Sequence, residues 1–405
     1  MTTHNRRGFG GAAALDTDNS TSKSLRITAS VLALLGLVSV SLSLFHPPTY
    51  WLPVTDLGRD VLGAMAVDHG MNPYQPVGFL ASSFPQLAIG RGASYLWVAH
   101  SPAALFFVWL WLKAIGPILV IGSGDLVQGL ALLALVIAVG YRYSRSTSVW
   151  HGLLMGGALS LTLGFVSDAF WVQGAALLGL ALIVALALER GEMRGVALLL
   201  LGLLVAWRPW LAPLAVALPN SRSAFRDAVT VWLTAVLATV VVLPVLGGWH
   251  VLGSWLFDAL PGNLAYYGPY PWNFSVIGRH LPAVMATGVF GVATLAAGKI
   301  RHMWEPEDRL LLAVLVIVLF APLFWAQYWL ALSPIVLVRA RSARLSHVLL
   351  VVLLMAWPFA ITPFSARLGS YAAALFLLVC VARLRIKDAT PKVEPVVDID
   401  RPAFG

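Results

Sequence analysis

The chain is poor in charge. Asp, Glu, Lys and Arg make up only 11% of 405 residues, against 59% apolar ones, and there is a single cysteine. One cysteine excludes a disulfide framework and any cysteine-based metal cluster. Cys380 lies inside an apolar run, where a small packing side chain is the ordinary role. Acidic residues are scarcer than basic ones, 18 against 27, which leaves a formal net charge of +9. That surplus is not arranged for nucleic acid: the arginines sit in short loops between apolar runs, where they act as topology signals. Also lacking are a P-loop and a Gly-x-Gly-x-x-Gly segment in a strand-to-helix context, so no nucleotide-binding domain is encoded. An activated substrate should therefore arrive already attached to a lipid. No His, Asp or Glu cluster has zinc spacing, and with so few aspartates neither a required metal nor another cofactor is expected.

What is present is hydrocarbon. Mean hydropathy is +0.82, with 16 Trp and 18 Phe. Runs of about 20 apolar residues, the length that crosses a bilayer, recur from Leu25 to Leu384. They do not alternate apolar and polar residues as barrel strands do. The expectation is an all-α polytopic membrane protein over residues 25–387, with polar, disordered cytoplasmic tails at 1–24 and 388–405. Arg6-Arg7-Gly8-Phe9 looks superficially like a twin-arginine export signal, but the apolar run starts too far downstream.

Placing positive loops in the cytoplasm puts the N-terminus inside and sends Ile27–Phe45 outward. Residues 46–99 then form a first extracytoplasmic loop, with a short amphipathic helix from Asp56 to Asp68, and residues 247–281 form a second, aromatic-rich one. Ser101–Tyr141 is long enough for two helices, whereas one crossing or three would suit the flanking charges. Val149–Leu188 reads as an outward-and-back pair. Arg208-Pro209 interrupts Gly195–Leu218, so two half-helices meet there. Leu310–Val338 is too short for two full crossings and turns at Trp325-Ala326-Gln327; Val348–Ile361 and Tyr371–Ala382 finish the bundle. About ten to twelve hydrophobic helices result, some broken, and broken helices are tolerated only where protein or a polar cavity surrounds them. A polar cavity open to the outer face follows.

The outer loops hold the residues that could carry chemistry. Asp56 is the candidate general base, since attack by a hydroxyl needs a carboxylate within hydrogen-bond reach; the competing role is N-cap of a Leu57–Asp68 helix. Asp60, one turn along, is a helper or a partner for Arg59. His69, Tyr74, His250, Asn273, Arg279 and His280 complete the outer inventory. Arg208, amid Leu, Val, Ala and Trp, costs about 2.5–3.5 kcal/mol to insert, so it needs water, an interface to snorkel to, or an anion such as a lipid phosphate. Arg279 and His280 could clamp that phosphate or simply mark a helix start.

At these residues the chain resembles glycosyltransferase family 87, membrane enzymes of the GT-C fold. Asp56 is followed fourteen residues later by Gly70-Met71-Asn72-Pro73-Tyr74, matching the family's Asp, short helix and Gly-x-x-Pro-Tyr. His100-Ser101-Pro102 resembles its Tyr-Pro-Pro, and Val172-Gln173-Gly174 its Gly-Gln. Trp207-Arg208-Pro209-Trp210 resembles its Lys-x-x-Pro, and Asn273-Phe274-Ser275 with Arg279 its Asn-x-Ser and following Arg. Asp60 stands where the family has an aromatic residue, Arg208 replaces its Lys, and Trp325-Ala326-Gln327-Tyr328 replaces a His-rich turn.

The resemblance implies transfer of a sugar, mannose or arabinofuranose, from polyprenyl monophosphate to a lipid-linked or cell-wall glycan. Inversion would occur at the outer face of the cytoplasmic membrane, with Asp56 as base. Donor, acceptor and membrane lipids are the expected partners. The rival from another class is a secondary transporter or lipid flippase around a central polar site; a third reading is an inactive glycolipid-binding scaffold. Internal repeats, which transport predicts, are not found.

Overall fold

The computed structural model describes residues 23–45, 56–85 and 96–339, except 99, 145–147, 163–164, 169–173, 192, 219–222, 269, 271–272 and 305, together with 368, 371–372 and 375. Gln173, both tails, much of the first outer loop and nearly all of the last two expected runs lie outside the described residues.

Among the described residues the chain is helical and forms no strand; one isolated antiparallel bridge joins Pro76 to Trp97. Three helices are long and apolar enough to cross a membrane: α1 (Lys23–Phe45), α10 (Ala224–Leu246) and α13 (Ala283–Ile300). Each turns large apolar side chains outward, Leu42 at 68%, Val241 at 71% and Val284 at 82% exposure. Faces of that kind mark a surface covered by lipid or protein rather than water. Residues 101–141 divide into two helices, α4 (Pro102–Ile115) and α5 (Pro117–Ser144). Gly116 takes φ 78° between them, a conformation glycine adopts without penalty.

The helix expected at Asp56–Asp68 is present as α2, but it is not a surface helix. Asp56 and every residue from Gly58 to Ala66 are buried, packed by Tyr74, Leu80, Leu96, Val98 and Leu105. From Gly58 to Ala66 no residue of the helix is exposed, so water reaches it only near its C-terminal end. The short α3 (Val77–Ser83) and α4 enclose it.

Arg208 stands at a break, as expected. α8 (Arg194–Trp207) ends there at φ −132°, ψ 89°, followed by a 3-10 turn at Pro209–Leu211 and the short α9 (Ala212–Val216). Proline drives the residue before it out of the helical region and has no N–H to continue the ladder.

Residues 247–281, expected as a second outer loop, contain several helical segments among the described residues. α11 (Trp249–Ser254) runs through a π turn at Trp255–Ala259 into α12 (Leu260–Tyr267). The Leu260 N–H reaches Trp255 O, and this wider turn makes room for the Pro261 ring, which would clash in a regular helix.

Three apolar clusters form the interior. The largest joins α7 (Ala175–Arg190), α8, α9, α10, α14 (Pro306–Phe320) and α15 (Ala326–Arg339). The second surrounds α2, and the third joins α1, α5, α6 (Val149–Ser160) and α7. A hydrogen bond from Ser101 Oγ, capping α4, to Ala206 O near the end of α8 stitches the first cluster to the second. The polar groups of interest lie at that seam.

Candidate active site

The first turn of α2 builds the centre. Asp56 and Arg59 share a helix face, and Arg59 Nη2 donates to Asp56 Oδ1. The sequence reading had Asp60 as a possible partner for Arg59; Asp60 instead accepts from His100 Nδ1, just ahead of α4. Tyr74, 2% exposed, donates its hydroxyl to His100 O at 2.9 Å. Tyr74 is thereby a brace for His100. Asn72 fixes the turn that carries Tyr74, accepting from Tyr74 N at 3.0 Å and donating to Ser254 Oγ at 2.8 Å. His100 Nε2 is buried without a hydrogen-bond partner, 4.0 Å from Asp56 Oδ2.

The expected open polar cavity is not what surrounds Asp56. Its side chain is 10% exposed and that of Asp60 3%, because Arg59 and His100 take the place that water would fill. Burial alone would raise the Asp56 carboxyl, but the charge and hydrogen bond of Arg59, with Arg208 behind it, act against burial and the carboxyl is held below its ordinary value. Asp56 is therefore the ionised carboxylate of the pair it forms with Arg59. Arg59 Nη1 also donates to Trp97 O at 3.3 Å, and its guanidinium lies 6.0 Å from the Tyr267 ring centre, within cation–π range. Tyr267 begins an aromatic wall: its ring centre is 4.8 Å from Tyr266, 5.9 Å from Tyr270 and 5.2 Å from Trp325.

A second polar layer lies behind. Arg208, 6% exposed, acts electrostatically on both Asp56 and Asp168. Asp168 ends the helical stretch 165–168, ahead of α7 in the chain, and accepts from Ala175 N at 3.0 Å, Ala176 N at 2.8 Å and Gln128 Nε2. Burial pushes its carboxyl up to about 6 against these hydrogen bonds and Arg208. Ser167 Oγ donates to Gln327 Oε1 at 3.0 Å, which brings the first turn of α15 to the same place. Residues 56, 100, 168, 208 and 327, scattered through the sequence, thus form one neighbourhood.

Other sequence candidates stand elsewhere. His69 follows the far end of α2 and is exposed, about 20 Å along the helix axis from Asp56 at 1.5 Å per residue. Its Nδ1 lies 2.8 Å from Met65 O and its ring edge meets Phe84. His250 and His280 are exposed, and no contact joins them to the cluster among the described residues. Asn273 is a structural residue. Fully buried, it donates to Gly268 O at 3.1 Å and Pro322 O at 3.0 Å, and accepts from Ser275 N at 3.2 Å and Phe324 N at 3.0 Å. Both donors and the acceptor of its amide are engaged within the chain, where they pin one loop on another. Arg279 Nη1 donates to Asn273 O at 2.8 Å and belongs to the same pin.

His100, Asp168 and Gln128 were missed as site residues in the sequence. The signal for the last two was available: ionisable or amide groups inside apolar runs are expensive and need a reason.

The chain matches no protein-family model, no curated protein and no solved structure.

Proposed function

We propose that the chain is a glycosyltransferase of the GT-C type, a multi-pass protein of the cytoplasmic membrane with about ten to twelve full or half-length helices. Its N-terminus lies in the cytoplasm and its site faces outward. It moves a sugar, mannose in this reading, from polyprenyl monophosphate to a lipid-linked or cell-wall glycan.

One observation carries the reading: a carboxylate kept ionised at the start of a buried helix, with an arginine from a proline-broken helix close enough to act on it. Asp56 takes the proton of the acceptor hydroxyl as that oxygen attacks the anomeric carbon. The bond from the anomeric carbon to the phosphate oxygen breaks, its electron pair leaves on polyprenyl phosphate, and configuration inverts. Arg208 binds the phosphate and stabilises the charge that grows there, a task for which a guanidinium is suited. The Tyr266, Tyr267, Tyr270 and Trp325 wall supplies rings for a sugar to stack on.

Membrane transport would place ionisable groups near the middle of several long helices. The charges described above instead gather at the start of α2, at the break after α8 and at the end of the short helical stretch 165–168. Purified protein incubated with radiolabelled synthetic polyprenyl-phosphate sugars and membrane glycolipid tests the proposal and names the sugar. Labelled product from one donor is expected. Donor movement across proteoliposomes without any new glycosidic bond would overturn it in favour of a flippase.

A further inference from the structure

We propose that His100 is a proton relay behind Asp56, held by Asp60 in the tautomer that carries hydrogen on Nδ1 and leaves Nε2 as a bare acceptor. The inference rests on the glycosyl-transfer reading for its chemistry, but its geometry stands apart from that reading. Three observations carry it. His100 is 7% exposed, and its Nδ1 is fixed on the Asp60 carboxylate. Its Nε2 is buried without a hydrogen bond and lies 4.0 Å from Asp56 Oδ2. Its backbone is anchored by the Tyr74 hydroxyl and by the bond that its neighbour Ser101 makes to α8, so the ring cannot swing away freely.

An imidazole kept only for packing would not be expected to leave a buried nitrogen aimed at a carboxylate. The distance has chemical meaning. At 4.0 Å an ionised Asp56 makes no hydrogen bond to a bare Nε2, since neither group has a proton to share. Once Asp56 has taken the acceptor proton, Oδ2–H becomes a donor, and an approach of about 1 Å closes the bond. The contact is thus gained only after the proton has moved, which is the kind of interaction that favours turnover over substrate binding. The O–H bond of the acceptor breaks, Asp56 holds the proton briefly, and Nε2 takes it. The resulting imidazolium lies between two carboxylates and releases the proton to water as product leaves.

Such a relay also explains how Asp56 can serve as a base although Arg59 keeps it weak. The groups whose charge bears on the pair come from several elements: Asp56, Arg59 and Asp60 on α2, Tyr74 on the following turn, Arg208 at the helix break and Tyr267 on α12.

The test uses full-length protein labelled with 15N-histidine in lipid nanodiscs, with His100 assigned by difference from His100→Gln. At neutral pH a hydrogen on Nδ1 and a bare Nε2 are expected, and Asp60→Asn should redistribute the tautomers. A hydrogen on Nε2 in the wild type, or a tautomer indifferent to Asp60→Asn, overturns the relay. In the transfer assay, His100→Gln should lower kcat by about 100-fold and remove one ionisation from the kcat–pH profile. An unchanged profile shape with lower amplitude would reduce His100 to a structural prop and overturn the relay as well. If the wild type transfers no sugar from any donor while the tautomer result is as expected, the glycosyl-transfer reading falls and the proton-acceptor geometry stands.

Discussion

Replacing Arg59 by methionine keeps a long flexible side chain over Asp56 and removes the charge. The pair is buried, with side-chain exposure of 4% for Arg59 and 10% for Asp56, so water cannot readily substitute for the lost guanidinium. Removing one partner of a buried ion pair typically costs about 3–5 kcal/mol, because the other charge is left uncompensated. Whatever part of that falls on the ionised form of Asp56 raises its carboxyl, because burial then acts with less opposition.

The sign follows from the native arrangement. The Asp56 carboxyl is held below 3.8 in the folded protein, so the pair contributes stability above that value and loses it as pH falls through the folded pKa. In Arg59→Met burial acts against less opposition, and the carboxyl favours protonation instead. The measurements are resistance to unfolding in detergent and the transfer rate, each from pH 4 to pH 9. The variant should be less stable than wild type at pH 7, with the gap narrowing toward pH 4. The acid limb of its transfer rate should move to higher pH, leaving activity that recovers in alkali. An acid limb in the same place as wild type, with a stability loss under about 0.5 kcal/mol, the range of an ordinary surface change, would refute the claim that Arg59 keeps Asp56 ionised.

Three further outcomes are expected. Asn273→Ala, which breaks four buried hydrogen bonds, should cost about 2–4 kcal/mol in a denaturation series while donor affinity in the surviving folded fraction stays near wild type; weakened donor binding there would restore a substrate role. Arg208→Ala should raise the donor KM far more than the acceptor KM, and an unchanged donor KM would remove it as the phosphate site. Asp168, with its carboxyl pushed up to about 6 from 3.8, contributes stability below 3.8 that is lost as pH rises through about 6. The span is about 3 kcal/mol. Asp168→Asn should flatten that slope in thermal unfolding from pH 4 to pH 7, and an identical slope in both proteins would contradict it.

The backbone plan was more legible in the sequence than the side-chain pairing. Asp56–Asp68 could be bounded as a helix from its acidic start and apolar body, and Arg208-Pro209 announced a break, because both signals are local. The short helices within residues 247–281 were not legible, because Trp, Tyr, Pro and Gly look like loop composition; a π turn at Trp255–Ala259 leads into the helix that holds Pro261. At the site, Arg208 stood out as a charge in hydrocarbon and Asp56 as a carboxylate in the polar stretch after the first apolar run. That Arg59 serves Asp56, and that Asp60 turns to His100, depends on where α4 begins in space. No spacing rule reaches across forty residues. Asn273 illustrates the same limit: its sequence context invites a ligand, while its four partners come from loops that only the folded chain brings together.

Transfer by Asp56→Asn is the measurement that bears most directly on the account. Purified wild-type and variant protein would be given a radiolabelled polyprenyl-phosphate sugar, with donor binding and new glycosidic product followed in the same sample. The account predicts donor bound by both proteins and product formed by the wild type alone. Product formed by the variant at the wild-type rate would contradict it.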